Sequence, residues 1–533
     1  MSTAPASDLA RSTATMTALT AVSRLTGFVR ILVVAAVLGD TFLGNTYQSA
    51  NTVPNLLFEV FAAGVLQAVL IPTLVELFDG GDDEEAGGVA RSVLGLAGVG
   101  LAVMAAVGML LAPWVMRVLV SGVGSRAVRD DEVRLGTVLL LLFLPQVLMY
   151  AGGMVATGVL NARHRFAIPV FAPTINNVVV TASYGLFWVL RDGKAPSLHL
   201  SALEVFVLGF GTTFGVIAFC AVPIAAVVRS GVSLRPELDR SNPHVRQIAK
   251  RGIWAAAFLA STQVLLGVVL LLANRVEGGV VQYQVAFTVF LLPHALFALP
   301  VLTALFPAMA RHAAAGDDGA YARTVASGLG AIAFLVLFAA AALVALAGPI
   351  AHAVRFAEFS ETGAAHVAAA LRAFAPGLLG YGGLLFLARA CYATGDTRTP
   401  AMVNVGVVVA GAIAMIVAVS IAGNDHAVAA IAGAHSGAYL AGSAVLLAIV
   451  ARRHRGAADG VGRGVVASVA AAAVSGLAMW GVQGVVPGAS RAGAIAEVVA
   501  GGLAGVVVYV AVAAALGGPR PSTLPTLLRG GHA

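Results

Sequence analysis

The stretch Thr17–Pro72, TALTAVSRLTGFVRILVVAAVLGDTFLGNTYQSANTVPNLLFEVFAAGVLQAVLIP, decides how this chain is interpreted. It contains two apolar segments, each long enough to cross a bilayer as a helix. Arg24 and Arg30 lie inside the first segment, and Pro54 and Glu59 lie inside the second. Because an arginine at membrane depth is costly, it usually faces a polar cavity or a partner. The stretch therefore predicts fixed positive charge within the membrane, and an anionic ligand with it.

Composition places the whole chain in the membrane. Of its 533 residues, 59% are hydrophobic and 11% are charged, whereas soluble domains carry about 25% charged residues. We find no Walker loop, no HExxH motif, no nucleophile elbow and no paired carboxylates, so we expect a transporter without a cofactor or metal, not an enzyme. The fold class is therefore predicted as an all-α polytopic membrane protein.

Apolar runs of about 20 residues or more recur along the chain and predict about fourteen transmembrane helices. They lie near 17–39, 46–77, 89–117, 133–160, 168–190, 202–228, 248–273, 281–310, 322–348, 364–391, 399–422, 427–450, 464–486 and 492–517.

These spans predict two six-helix lobes and two additional helices. The predicted order is a cytoplasmic tail (1–16), an N-lobe (17–228), a linker (229–247), a C-lobe (248–450), the last two helices (451–517) and a second tail (518–533).

The basic residues predict the orientation. With the N-terminus inside, the inner loops and tails carry 19 Lys and Arg residues and the outer loops carry 8. An excess of positive charge on the cytoplasmic side is the rule for such proteins, so we expect both termini in the cytoplasm of a bacterium. The same dispersal of basic residues over short loops argues against nucleic-acid binding, despite the net charge of +7.

An internal repeat supports the division into lobes. A shift of 231 residues aligns Phe143, Pro145, Tyr150, Gly152, Ala162 and Pro169 with Phe374, Pro376, Tyr381, Gly383, Ala393 and Pro400. A similar shift aligns Pro72 with Pro307. Six spans separate the copies, so the repeats have the same orientation, an arrangement that secondary transporters use.

The two arginines of the first span each allow two interpretations. Arg24 is near enough to the cytoplasmic end to extend its side chain into the interface, and Arg30 is deep enough to need an ion pair, for instance with Glu59. Alternatively one or both face a cavity and bind phosphate, which the guanidinium fork suits.

The second span is polar for a membrane helix between Asn45 and Asn55. Because Pro54 removes a backbone hydrogen bond, we expect irregular backbone lining a cavity, with Asn51 and Asn55 exposed to the ligand. The alternative is a proline-kinked helix whose polar residues pack on neighbours. In either case Glu59, one turn further on, is a candidate counter-ion or proton carrier in the substrate site.

Later spans add weaker signals. The eighth is predicted to break at Pro293, and the turn before Pro400 predicts a helix N-cap at Thr399. Secondary candidates for substrate binding are Asn45 of the second span, Thr288 of the eighth, and Arg372 near the outer end of the tenth.

Three N-terminal segments resemble the signature of the MurJ (MviN) family of lipid II flippases, within the multidrug/oligosaccharidyl-lipid/polysaccharide exporter superfamily. They are SRLTGFVR (23–30), ANTVPNLL (50–57) and AGVLQAVLIP (63–72), and LTALFPAMAR (302–311) and CYATGDTRTP (391–400) are similar to later parts of that family.

The resemblance implies two lobes in a V around a cationic central cavity that takes the diphosphate-sugar head of lipid II. It implies a groove for the polyprenyl tail at the last two helices, and alternating access coupled to ions or membrane potential. Arg24 and Arg30 match the arginines that the family requires in its first helix.

The chain also departs from the family. Asn45 stands where members often have an acidic residue, Phe58 and Glu59 follow Asn-Leu-Leu where members have arginine, and Thr288 replaces an arginine of the eighth span. These differences leave open another polyprenyl-diphosphate glycan as the substrate, or a non-transporting scaffold that recruits cell-wall synthesis proteins. A cation or drug antiporter is disfavoured, because such a protein needs buried acids.

Overall fold

The computed structural model describes residues 6–65, 70–239, 242–485 and 490–516, which form nineteen α-helices, one π-helical turn (His294–Ala298) and one 3-10 turn (Asn424–His426), but no strand. The helices are α1 (Ala6–Leu38), α2 (Phe42–Val65), α3 (Ile71–Asp79), α4 (Asp83–Leu119), α5 (Arg126–Phe143), α6 (Gln146–Ala162), α7 (Ala167–Arg191), α8 (Ala202–Arg229), α9 (Pro243–Ala273), α10 (Gly279–Pro293), α11 (Leu299–Ala314), α12 (Asp318–Ala345), α13 (Ala347–Ala353), α14 (Glu361–Phe374), α15 (Gly377–Ala393), α16 (Arg398–Ala422), α17 (Ala427–Arg453), α18 (Val461–Gln483) and α19 (Arg491–Ala515).

The helices confirm the all-α polytopic class and agree with about fourteen spans. Among the described residues, eleven helices or joined helix pairs are long and apolar enough to cross a membrane, and α14 with α15 forms a twelfth span bent by 49°. The two other predicted spans correspond to α2 with α3, on either side of residues 66–69, and to the 31-residue α9. The predicted tail 518–533 lies outside the described residues.

Prolines divide three of the spans. α5 and α6 meet at Pro145, α14 and α15 meet at Pro376, and α10 ends at Pro293, where the π-helical turn begins. Proline has no backbone N–H and its ring crowds the preceding turn, so the helical hydrogen-bond ladder is interrupted there. The break predicted at Pro293 is thus confirmed.

The irregular backbone predicted at Pro54 is wrong, because α2 runs unbroken from Phe42 to Val65 with Pro54 inside it. The N-cap predicted at Thr399 is also wrong. α16 begins at Arg398, and the carboxylate of Asp396 accepts the Thr399 N–H at 2.9 Å. An aspartate before the first turn satisfies the same free N–H groups that a capping threonine would.

The helix boundaries recur with the shift that the sequence repeat predicts. α6 and α15 end at Ala162 and Ala393, α7 and α16 begin at Ala167 and Arg398, and both pairs differ by 231 residues. Further upstream the shift is 235, since α4 and α12 begin at Asp83 and Asp318, and α5 and α14 begin at Arg126 and Glu361. α5 has 18 residues and α14 has 14, so the halves differ there by four residues, about one helical turn.

The chain divides into two compact units. Unit 1 comprises Met1–Val264 with Phe356–Glu358, and unit 2 comprises Leu265–Arg355 with Phe359–Ala533. In unit 1 a buried apolar core joins α3, α4, α6 and α8. In unit 2 another joins α12, α18 and α19, where the Tyr509 hydroxyl donates to the Phe334 carbonyl at 2.6 Å.

Candidate functional site

The first helix is positioned in unit 1 by its contact with α7. The Asn177 side-chain amide donates to the Ser23 carbonyl at 3.3 Å and to the Thr26 hydroxyl at 3.2 Å. Gly27 faces the same amide, and a Cβ built there would lie 3.4 Å from the Asn177 Nδ2 atom. The Asn177 amide thus contacts α1 between Arg24 and Arg30, and this contact positions the part of α1 that carries the two arginines.

Neither arginine is neutralised. Arg24 is exposed and Arg30 is half-buried, and within the described part of the chain neither makes an ion pair or a hydrogen bond through its side chain. The alternative ion pair between Arg30 and Glu59 is wrong, because it does not form and the Glu59 carboxylate is exposed. Two cationic groups are therefore available on one helix.

Arg30 lies beside a group of buried tyrosines. Its guanidinium is within electrostatic range of the hydroxyl groups of Tyr47, Tyr150 and Tyr184. The Tyr47 hydroxyl is 2.8 Å from that of Tyr184 and 2.6 Å from that of Thr212, so it is hydrogen-bonded to both. The groups closest to Arg30 that the structure identifies are thus polar hydroxyls, and its guanidinium makes no ion pair among the described residues.

Tyr150 of α6 contacts two residues of the second helix, Asn55 and Phe58. Its hydroxyl donates to the Asn55 side-chain oxygen at 2.9 Å, and its ring stacks on Phe58 with centroids 4.0 Å apart. Asn55 in turn donates from its amide nitrogen to the Asn51 carbonyl at 2.9 Å. Glu59 also lies within electrostatic range of the Tyr150 hydroxyl. Tyr150 therefore contacts Asn55 and Phe58 directly, while the charges of Arg30 and Glu59 act on its hydroxyl without contact.

The polar segment of α2 follows the alternative interpretation, in which its side chains pack on neighbouring helices. Pro54 and Asn45 are buried, and Thr46 donates from its hydroxyl to the Glu132 carboxylate of α5 at 3.0 Å. Sequence analysis did not identify Tyr150 as a site residue. The available signal was its position in the repeat, where it aligns with Tyr381.

The secondary candidates Thr288 and Arg372 belong to unit 2. The Thr288 hydroxyl donates to the Gln284 carbonyl of its own helix at 2.7 Å. Arg372 is exposed at the end of α14 and lines a cavity of about 630 Å³. Apolar side chains of α12 and α18 form most of the wall, among them Leu337, Leu477 and Trp480. This cavity combines a long apolar surface with one cation.

Metal binding has no support in the parts of the chain that the structure describes. No group of three or more His, Cys, Asp or Glu side chains there could hold a metal ion.

Comparison with known proteins gives consistent matches. The profile of the family described as Lipid II flippase MurJ matches residues 34–499. A probable lipid II flippase MurJ of Vibrio cholerae is 25% identical over 397 residues, covering 72% of this chain and 73% of the relative. The solved structure of a lipid II flippase MurJ in an inward closed conformation superposes with a TM-score of 0.75 at 17% identity, over 94% of this chain and 98% of the other. An inward-facing multidrug resistance MATE transporter superposes with a TM-score of 0.64 at 13% identity, over 81% and 94% of the two chains.

Proposed function

Because the chain belongs to the lipid II flippase MurJ family, we propose that it moves lipid II from the inner to the outer leaflet of the bacterial cytoplasmic membrane by alternating access. The observation that carries the proposal is Arg30, a half-buried guanidinium on a membrane helix with no ion pair among the described residues. Such a group is costly to keep at that depth, and an anionic ligand offsets the cost.

The diphosphate of the substrate is the group that Arg30 suits. A guanidinium presents a planar fork of donors that binds phosphate through two parallel hydrogen bonds. Arg24 is six residues nearer the N-terminus on the same helix, about 9 Å along the axis. In this proposal Arg30 binds one phosphate and Arg24 attracts the second phosphate or the sugar head.

The shape of this site is set by neighbouring uncharged residues, namely Asn51, Pro54, Asn55 and Tyr150. Tyr150 holds the Asn55 amide in place, and the Phe58 ring against it fills the position where the sequence signature of the family has arginine. Glu59, exposed and close to Tyr150, is a carboxylate that repels a bound diphosphate. In this proposal that repulsion promotes release of the head group after translocation.

The unit 2 cavity suits the lipid part of the substrate. A polyprenyl tail requires an apolar wall, and the surface of α12 and α18 between Leu337 and Trp480 provides one. Since α18 is the thirteenth predicted span, the location agrees with the tail groove that the resemblance implies at the last two helices. In this proposal Arg372 lies at the polar end of the bound lipid.

The orientation belongs to the same proposal. Both termini lie in the cytoplasm, as the excess of basic residues in the inner loops predicts. The partners are then lipid II and proteins of cell-wall synthesis, and an ion or the membrane potential drives the cycle.

The test is complementation with a direct readout. The native lipid II flippase of a bacterial host is depleted, this chain is expressed, and an enzyme that cleaves only exposed head groups measures lipid II in the outer leaflet. We expect exposure to be restored by the wild-type chain and lost with R30A. R126Q, which removes an exposed arginine of another helix, is the matched control and is expected to transport normally.

The alternatives give different results in the same experiment. Restored exposure with R30A as well as wild type would contradict the role of Arg30. No exposure with the protein present in the membrane would contradict lipid II as the substrate. In that case transport of another polyprenyl-diphosphate glycan is measured next, and its absence favours the scaffold that the missing arginines at Phe58 and Thr288 suggested.

A further inference from the structure

Unit 1 contains a second cationic region, at the end where α4 finishes and α5 begins. Arg117, Arg129 and Arg134 line a cavity of about 710 Å³ together with Pro113 and Ser121 of α4 and its C-terminal turn. Asp130, Val133, Thr137 and Val138 complete its wall. Three positive charges against one negative charge leave the lining with a net positive charge.

These arginines have no internal partner. In the described part of the chain none of the three makes an ion pair or a side-chain hydrogen bond, although Asp130 lines the same cavity. Like charges gathered around one cavity repel one another, and a structure that needed only solubility could disperse them. The arrangement therefore favours an external anion.

The three arginines lie on the side of the membrane where few basic residues are expected. In the proposed orientation this end of unit 1 faces the outside, where the loops carry only 8 of the basic residues. Arg129 and Arg134 are two of those eight, and a third, Arg126, starts the same helix. The topology rule explains basic residues on the inner side but not here, so their clustering requires another cause.

The surface beside the cavity is apolar and exposed. Leu110 is 81% exposed and Trp114 is 61% exposed, one turn apart on α4 and directly before Arg117. Tryptophan is enriched at the level of lipid head groups, because its ring is apolar and its N–H is polar. Trp114, a residue type typical of the membrane interface, thus lies between the arginines and exposed apolar side chains such as Leu110.

We propose that this cavity binds the head group of an anionic phospholipid. Arg117, Arg129 and Arg134 hold the phosphate through charge-assisted hydrogen bonds, and the acyl chains lie along Trp114 and Val138. The site is separate from Arg24 and Arg30, and the proposal does not depend on lipid II transport.

The test uses the full-length protein purified in a mild detergent. Native mass spectrometry counts the phosphatidylglycerol and phosphatidylcholine molecules that remain bound to the wild-type protein, to R129Q/R134Q and to R126Q/K194Q. The last variant is the matched control, because it removes two exposed charges of the same unit that do not line the cavity.

We expect R129Q/R134Q to lose phosphatidylglycerol binding by about fivefold for each arginine removed, while the control keeps it. If the double variant fails to fold, R134Q alone is measured instead, because Arg134 is exposed and its replacement is not expected to disturb folding. Equal retention by wild type and R129Q/R134Q, or equal loss in the control, would overturn the proposal. Inorganic phosphate that binds the lipid-free protein as tightly as phosphatidylglycerol does would overturn the lipid as the occupant.

Discussion

The rings of Phe58 and Tyr150 are stacked in unit 1 with their centroids 4.0 Å apart. Phe58 follows the Asn-Leu-Leu segment, where the resemblance described above implies arginine, and here this position makes an aromatic contact. The hydroxyl of the same tyrosine donates a hydrogen bond to the Asn55 side-chain oxygen, and the charge of Arg30 acts on it. The candidate site in unit 1 thus has an uncharged residue, Tyr150, at the centre of its contacts.

The first prediction concerns the Tyr150 hydroxyl. Y150F removes the hydrogen bond to Asn55 and keeps the stack on Phe58, so we expect a stability loss of about 1 kcal/mol and slower transport. The melting temperature in detergent and the lipid II exposure assay measure the two effects. Y392F is the control, because Tyr392 is partly exposed on α15 and its hydroxyl makes no hydrogen bond among the described residues. Identical melting temperatures for wild type and Y150F would contradict this role.

The second prediction separates charge from geometry at Arg30. R30K keeps the positive charge but loses the planar fork, so we expect transport roughly tenfold below wild type. R30A is expected to be inactive, and R24A to retain more activity than R30A because Arg24 is the more exposed of the two. Initial rates of lipid II exposure at matched protein levels test this order. Full activity of R30K would show that charge alone is enough.

A third prediction concerns acid stability at the turn before α16. Hydrogen bonds from Thr399, and the Arg453 guanidinium 2.5 Å away, hold the pKa of the Asp396 carboxyl at about 2. An unfolded aspartate titrates near 3.9, so the stabilisation is complete above about pH 4 and disappears as the pH falls towards 2. Both side chains are partly exposed, and we expect less than about 1 kcal/mol.

D396N tests this by melting curves between pH 2 and pH 6. The difference in melting temperature between wild type and D396N should be constant above about pH 4 and should shrink below it. D425N is the matched control, because it removes an exposed carboxylate in the turn before α17 that makes no ion pair among the described residues. A difference that grows on acidification would have the wrong sign for the proposed interaction.

The fourth prediction concerns the packing of α15 against α17. A Cβ on Gly380 would lie 2.4 Å from the backbone nitrogen of Leu440, so G380A must push the two helices apart. We expect a loss of about 2 kcal/mol or more, as for other overpacked interiors. G406A is the matched control, since nothing lies within 4 Å of that Cβ and alanine favours the helix. A melting temperature of G380A equal to that of G406A would contradict the close approach.

The fifth prediction tests the tail site. Ala473 is exposed on the wall of the unit 2 cavity, and A473F places a large ring in it. We expect transport of the full-length polyprenyl substrate to fall severalfold, while an analogue with a short tail is transported as by wild type. V466F, on an exposed position of α18 outside the cavity, serves as the control. Equal inhibition for both tail lengths would assign the effect to something other than the tail.

Sequence alone predicted the helices well and the side-chain contacts less well. Hydrophobic length and the repeat fix the spans, because the bilayer permits few alternatives to an apolar helix. The Pro54 prediction failed because neighbouring helices can support a continuous helix around one missing hydrogen bond. The Arg30–Glu59 pair failed because two residues on consecutive helices can face different directions. Tyr150 was not predicted as a site residue, because the linear sequence does not show which residues lie next to a tyrosine in the fold.

The four-residue difference between α5 and α14 has a consequence for how such a duplicated chain can change. A straight helix turns by about 100° per residue, so four residues add about 400° and return the following side chains to within about 40° of their former direction. A single inserted residue would instead turn all later side chains away from their packing partners towards lipid. We therefore expect length variants of this helix to be tolerated in steps of three or four residues, and indels of one or two to be selected against. A difference of about one helical turn is thus a change in length that leaves the side chains of this helix close to their packing directions.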